Sequence, residues 1–321
     1  MFHPVMLWLL SLLLSLASAS AIAAQALVTP TELAAKLGDS RLHIVDIRED
    51  KIDGKSTYEL GHIAGAQHAP YAKWHGPAES PGKLPTADAL TALIQRLGID
   101  RTTPVIVVYE GMDSTDFGSA ARVYWTLKAA GVSTLSVLNG GMTAWRAAGL
   151  PVSTETSVRA PSSFQVMLDP RLIATRDEVA QAVSNRSARL LDTRPAAYFA
   201  GQTRHAVAKK PGTIVGAKNV SHEVWFTKDG QLLPTDDIKQ VAQQAGVWSE
   251  TMSAQPTISF CNTGHWAATS WFVLSELLGH DDVKLYPESV VGWSNAGLAM
   301  ENVPNRLQQF WLQLRVASGS P

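Results

Sequence analysis

The feature that most constrains this chain is that it repeats itself. A T-x-x-E sequence at residues 29–32, with Pro30 in second place, returns at residues 175–178. Each reads as a capping box at a helix start, and Pro30 suits the first helical position. "LHIVDIR" (42–48) is matched by "RLLDTR" (189–194), which sets Asp46-x-Arg48 opposite Asp192-x-Arg194. "HIAGAQHA" (62–69) matches "TIVGAKNV" (213–220), and Leu97-Gly98-Ile99 matches Ala245-Gly246-Val247. "VIVVY" (105–109) matches "TISF" (257–260), Gly131 matches Gly279, and Trp145 matches Trp293. The offset stays between 146 and 151 residues, so the repeating unit is a whole domain and not the short unit of a solenoid. A length of 321 residues accommodates two such domains.

Within each half, a helix leads to an apolar strand ending in D-x-R, and further short apolar strands alternate with helices. That pattern predicts an α/β fold in which each half is a mainly parallel sheet flanked by helices. "LPVSTETSVRAPSS" (150–163) has no amphipathic period and reads as a connection between the halves. The expected division is a first domain at 25–150, a linker at 151–170, a second domain at 171–302 and a tail at 303–321. Ahead of these, "LWLLSLLLSLA" (7–17) is followed by small residues ending Ala21-Ile22-Ala23-Ala24. This has the shape of a signal peptide over residues 1–24, although its first residues include no Lys or Arg. An uncleaved anchor is the alternative. No other segment reaches about 18 apolar residues, so an exported, periplasmic protein, free of the membrane after cleavage, is expected.

The formal net charge is −1 and no basic block exceeds Lys209-Lys210, which argues against nucleic acid as a partner. One cysteine excludes an internal disulfide and a Cys-rich metal site. The nine histidines form no H-x3-H pair with a glutamate, so neither a metal nor another cofactor is predicted. An unpaired thiol in an oxidising compartment needs a reason, and Cys261 has a suggestive place. It follows an expected strand at 256–260 and precedes a helix expected from near Ala267, with Ala267, Trp271, Leu274 and Leu278 along one face. Ligands of open α/β sheets bind beyond the carboxyl ends of strands. A helix N-terminus there favours an anion or thiolate, and Gly264 lets several N–H groups converge. His265 would add charge when protonated. A small buried core residue is the plainer reading of a lone cysteine; position, glycine and compartment favour a nucleophile. The first half has no cysteine. Strand alignment sets Glu110 opposite Cys261, and ungapped alignment sets Asp113 there, so chemistry is expected in the second half alone.

The two D-x-R motifs, "YELGHIAGA" (58–66), "LNGGMTAWRAAGLPV" (138–152) and the loop "CNTGHW" (261–266) together resemble the tandem-domain rhodanese family of thiosulfate and 3-mercaptopyruvate sulfurtransferases. The resemblance runs from about Thr29 to Asn302. It implies that Cys261 takes sulfur from a small-molecule donor as a persulfide and passes it to a thiophilic acceptor such as cyanide or a thiol. The N–H groups of residues 262–267 would hold the charged sulfur. The site residues expected on this basis are Cys261, Asn262, Thr263, Gly264, His265, Trp266, Asp192, Arg194 and Arg204. Arg194 is expected to brace Asp192 or the loop, and Trp266 to wall the sulfur from water.

The chain also departs from the family pattern. Thiosulfate-specific members carry basic residues after the cysteine and mercaptopyruvate-specific members a Gly-Ser-Gly run, whereas this loop has Asn262-Thr263-Gly264-His265. An arginine common four residues after the D-x-R arginine is here Tyr198. Arg204, His205, Lys209 and Lys210 are candidates to replace it at an anion site, against the alternative of a solvated basic surface. Related phosphatases use a C-x5-R loop, and the residue six after Cys261 is Ala267. A persulfide carrier without turnover, or a binding module for a protein acceptor, is the remaining alternative.

Overall fold

A computed structural model of the chain describes residues 25–250, 255–305 and 307–308. The expected signal segment, 1–24, and most of the expected tail lie outside the described residues. Both halves are built on parallel sheets. In the first, the strands stand in the order Leu27–Val28, Leu135–Leu138, Val105–Val108, His43–Asp46, Ala66–His68, every neighbouring pair parallel. In the second the order is Val283–Leu285, Thr257–Phe260, Arg189–Asp192, Lys218–Asn219, again all parallel. A bridge from Ile173 to Leu285 stands where the first half has its Leu27–Val28 strand.

The strands His43–Asp46, Val105–Val108, Leu135–Leu138 and Thr257–Phe260 are buried along their whole length, since helices cover both faces of the sheets. Alternate residues divide between two layers. Ile44, Ile106 and Val108 face an outer core of the first half, and Leu190, Ile258 and Phe260 face an outer core of the second. Val45, Val107, Val137, Leu191 and Cys261 face inward to a single core that both halves share. The expected capping boxes form. Thr29 and Thr175 each accept the N–H three residues on at 3.2 Å, while Glu32 and Glu178 bond back to the threonine N–H.

Two helices fill the shared core, Ser114–Ala130 from the first half and His265–Phe272 from the second, the latter continuing through one wider turn at Val273–Leu277. Both are buried on nearly every side, which is why neither shows a polar stripe. Phe117 stands edge-on to Phe226 and Phe272 at 5.5 and 5.6 Å, and Tyr124 to Phe272 at 5.0 Å. Glu276 ties the halves further, accepting from Tyr124 Oη and Lys128 Nζ at 2.6 Å each. Residues 151–170 carry almost no regular structure but are pinned to the first half. Ser153 bridges to His62, and Arg159 donates to the carbonyls of Ser40 and Leu42.

Candidate active site

Cys261 is the residue after the central strand Thr257–Phe260 and is 1% exposed. Its N–H donates to Ser289 Oγ at 3.1 Å, and its carbonyl accepts from Val290 at 3.0 Å. Ser289 is fully buried at φ 51°, an uncommon backbone for a residue with a side chain, and its hydroxyl donates to Tyr286 O. The next helix starts at His265, two residues before the expected position, because Gly264 at φ 75° closes the loop tightly and caps it. Among the described residues, no N–H of residues 262–267 donates to a carbonyl outside the helix. The first N–H groups of a helix have no internal acceptor, so those that follow Cys261 are left without a protein partner and are free to bind an anion.

Beneath the loop lies the Asp192–Arg194 pair, both residues buried. Arg194 grips Asp192 through Nε and Nη2 at 2.9 and 2.6 Å, and Thr213 Oγ1 donates to the same carboxylate at 2.6 Å. Arg194 Nη1 reaches Asn262 Oδ1 at 3.3 Å. Arg194 therefore braces both Asp192 and the loop. Asn262 is held from the other side as well, its carbonyl accepting from Val291 at 3.1 Å.

His265 turns toward the first half. The Thr115 carbonyl can only accept, so His265 Nε2–H donates to it at 2.6 Å, leaving Nδ1 to accept from Tyr71 Oη at 2.9 Å. Burial pushes the imidazole down to about 4, so it is neutral at ordinary pH and brings no charge to the loop. Trp266 stacks on His222 with ring centres 4.7 Å apart, and Tyr198 stands edge-on to it at 5.8 Å. The Thr263 carbonyl is approached by Arg122 Nη1 at 3.5 Å.

Arg204 is turned to its own loop. Its Nη1 donates to the carbonyls of His205, Ala206 and Ala208, bracing its own loop. Lys209 is likewise turned to Asn295. Among the described residues, no group of three or more His, Cys, Asp or Glu side chains is placed to hold a metal ion, and no helix is long and apolar enough to cross a membrane.

The first half supplies an internal control, and its register corrects the alignment made from sequence. Asp192 pairs with Phe260 and Asp46 with Val108, so the residue opposite Cys261 is Tyr109, not Glu110 or Asp113. Tyr109 and Glu110 carbonyls accept from Met142 and Thr143 as those of Cys261 and Asn262 do from Val290 and Val291. Glu110 thus takes the place of Asn262 and pairs with Arg48 at 3.0 Å and with Arg146. Asp113 caps the helix where Gly264 does, with one extra residue in between. In this copy the loop is already filled, since Asp116 Oδ2 accepts from the N–H groups of Gly111 and Met112 at 2.6 and 3.0 Å. The second half has Ala267 in the corresponding helix position and leaves its loop amides open. Sequence reasoning also missed Ser289, whose counterpart Gly141 shares its positive φ, and the contributions of Tyr71, Thr115 and Arg122.

The fold is that of the rhodanese class of proteins. The profile of the Rhodanese-like domain matches residues 29–148 and 175–296, and the chain belongs to that family. A Mycobacterium tuberculosis protein named "Putative thiosulfate sulfurtransferase" is 30% identical over 279 residues, covering 83% of this chain and 94% of that one. Rattus norvegicus 3-mercaptopyruvate sulfurtransferase is 29% identical over 245 residues, covering 75% and 80%. Among solved structures, SseA from Escherichia coli, described in terms of the rhodanese fold and the mechanism of 3-mercaptopyruvate sulfotransferases, superposes with a TM-score of 0.68. It is 25% identical, over 83% of this chain and 98% of that one.

Proposed function

We propose that the chain moves sulfane sulfur from thiosulfate or 3-mercaptopyruvate to cyanide or a thiol through a persulfide on Cys261. The observation that carries this reading is the contrast between the two loops. Two loop amides of the first half, those of Gly111 and Met112, bond to the Asp116 carboxylate, whereas the loop amides that follow Cys261 have no protein acceptor among the described residues. Open amides suit a negatively charged sulfur.

With thiosulfate, the Cys261 thiolate attacks the outer sulfur. The new S–S bond forms as the S–S bond of the donor breaks, and sulfite leaves with the electron pair. With 3-mercaptopyruvate, the C–S bond breaks toward carbon, and the resulting enolate takes the thiol proton to give pyruvate. In either case cyanide then attacks the terminal sulfur, leaving as thiocyanate and returning the thiolate. The loop amides hold the charge throughout, and Arg194 fixes Asn262 so that they stay aligned. The near-complete burial of Cys261 favours small donors over a protein docked on the loop. We assign the site residues Cys261, Asn262, Thr263, Gly264 and Trp266, with Asp192 and Arg194 in support.

Thiocyanate formation from either donor plus cyanide, measured for the wild type and Cys261→Ala, tests the proposal. Activity lost with the thiol is the expected result, and equal rates in the two proteins would overturn it. Export to the periplasm is proposed on the apolar leader at residues 7–17. Cell fractionation with N-terminal sequencing checks it, and a full-length cytoplasmic protein would contradict it.

A further inference from the structure

The loop bearing Cys261 contains no cationic side chain at ordinary pH, yet a buried cation stands against it from the other half. Arg122 lies in the helix Ser114–Ala130, entirely buried. Its Nη2 donates to Gly82 O at 3.0 Å, its Nη1 approaches Thr263 O at 3.5 Å, and its guanidinium lies 5.0 Å from the Trp125 ring centre. Nε has no hydrogen-bond partner, and no Asp or Glu among the described residues pairs with the side chain. A guanidinium stays protonated, and burying one without an opposite charge costs several kcal/mol. Such a group calls for an anion.

The groups that face Arg122 identify that anion. Burial pulls its ionisation down, opposed by two neighbours, the Tyr71 phenol and the Cys261 thiol. Tyr71 is itself pushed well above the ordinary phenol range by burial, so it stays neutral. His265, which Arg122, His222 and His75 help to keep neutral, supplies no negative charge either. Glu49 acts on Tyr71, and Asp192 is already bound by Arg194. Gly264 is needed for the same approach, because a Cβ there would collide with the Arg122 guanidinium and lie 2.8 Å from Pro287 O.

We propose that Arg122, a positioning residue supplied by the half that lacks a nucleophile, is the buried counter-charge of the Cys261 thiolate and of its persulfide, so that both halves complete one active centre. This deepens the reading of Cys261 as the nucleophile and rests on it.

Cys261 is the single cysteine of the chain, so thiol alkylation reports on it alone. The rate of alkylation by iodoacetamide is measured on the full chain across about pH 5 to 10. Arg122→Met is expected to slow the reaction about tenfold near neutral pH and to move the profile up by about one pH unit, with the high-pH plateau unchanged. Arg122→Lys, which keeps the charge, is expected to retain most of the wild-type profile. A folded Arg122→Met protein with the wild-type profile overturns the proposal. Should that variant not fold, two adducts of the wild type decide. Carboxymethylated Cys261, which carries a charge, is expected to melt several degrees above its neutral carboxamidomethyl isostere, and equal melting temperatures overturn the idea. Alkylation needs no sulfur donor. A shifted profile in a protein that makes no thiocyanate would leave the role of Arg122 standing and remove the proposed transfer reaction.

Discussion

Asn262→Asp would give the second half the charge that Glu110 gives the first. The new carboxylate would lie next to the thiol along the chain and near Arg194 Nη1, which now meets the amide oxygen at 3.3 Å. Two like charges about 7 Å apart at an effective dielectric of about 20 repel by about 2.4 kcal/mol. Arg194 offsets part of this, but its Nε and Nη2 are already committed to Asp192. The net effect on Cys261 is therefore a tenfold to hundredfold loss of thiolate, or roughly one to two pH units. Stability should change in the opposite direction, because an ion pair replaces the bond from the Arg194 guanidinium to a neutral amide, a gain of about 1 kcal/mol. Initial rates of thiocyanate formation and iodoacetamide alkylation across pH measure the first effect, and urea denaturation the second. Asn262→Leu is the uncharged control. It leaves Arg194 Nη1 without its partner, costing about 1–3 kcal/mol, while leaving the pH profile in place. An Asn262→Asp protein that keeps the wild-type pH profile would refute the reasoning.

Three further outcomes follow from the geometry. His265 is held near 4 against about 6.5 in an unfolded chain, so only the unfolded state takes up its proton between those values. Stability is therefore complete above about pH 6.5 and falls by up to ~3 kcal/mol as pH drops to about 4. His265→Gln should reduce the slope in pH-dependent urea titrations by that amount, leaving the part due to His43, His205, His222 and His280, which burial also lowers, and an unchanged slope would assign it elsewhere. Arg204→Ala should leave kcat/KM for either donor within about twofold, since its guanidinium braces carbonyls of its own loop; a tenfold rise in KM would place it in the donor site. Because the loop itself has no cationic side chain and Arg122 is taken up by the charge on Cys261, 3-mercaptopyruvate should exceed the dianion thiosulfate in kcat/KM by at least about tenfold. Parallel assays with cyanide as acceptor test that order, and a preference for thiosulfate would contradict it.

The architecture was readable because duplication writes the same signals twice. Apolar runs such as "VIVV" and "TISF" mark strands buried on both faces, and the two T-x-x-E boxes mark equivalent helix starts. Cys261 was readable for the related reason that a strand, a glycine and a helix define where the loop must sit. The exact partner of that cysteine in the first half was not. The two loops differ by one residue, and only the hydrogen-bond register shows that Tyr109 takes its place. Arg204 drew attention because a charge in sequence carries no information about the local carbonyls that satisfy it. Tyr71, Thr115 and Arg122 gave no local signal, since they reach the loop only through the packing of one half on the other. Arg122 is hidden most thoroughly, on a buried helix face whose neighbouring residues Gly118, Ser119, Trp125 and Thr126 carry no charge.

The account stands on sulfur being carried by one atom of this chain. The purified protein, treated with 3-mercaptopyruvate or thiosulfate and digested without reductant, should gain about 32 Da, one sulfur atom, on the peptide containing Cys261 and on no other. The addition should disappear on adding cyanide, with thiocyanate appearing in equal amount. A Cys261 peptide of unchanged mass after donor treatment, in a protein that still forms thiocyanate, would contradict the account.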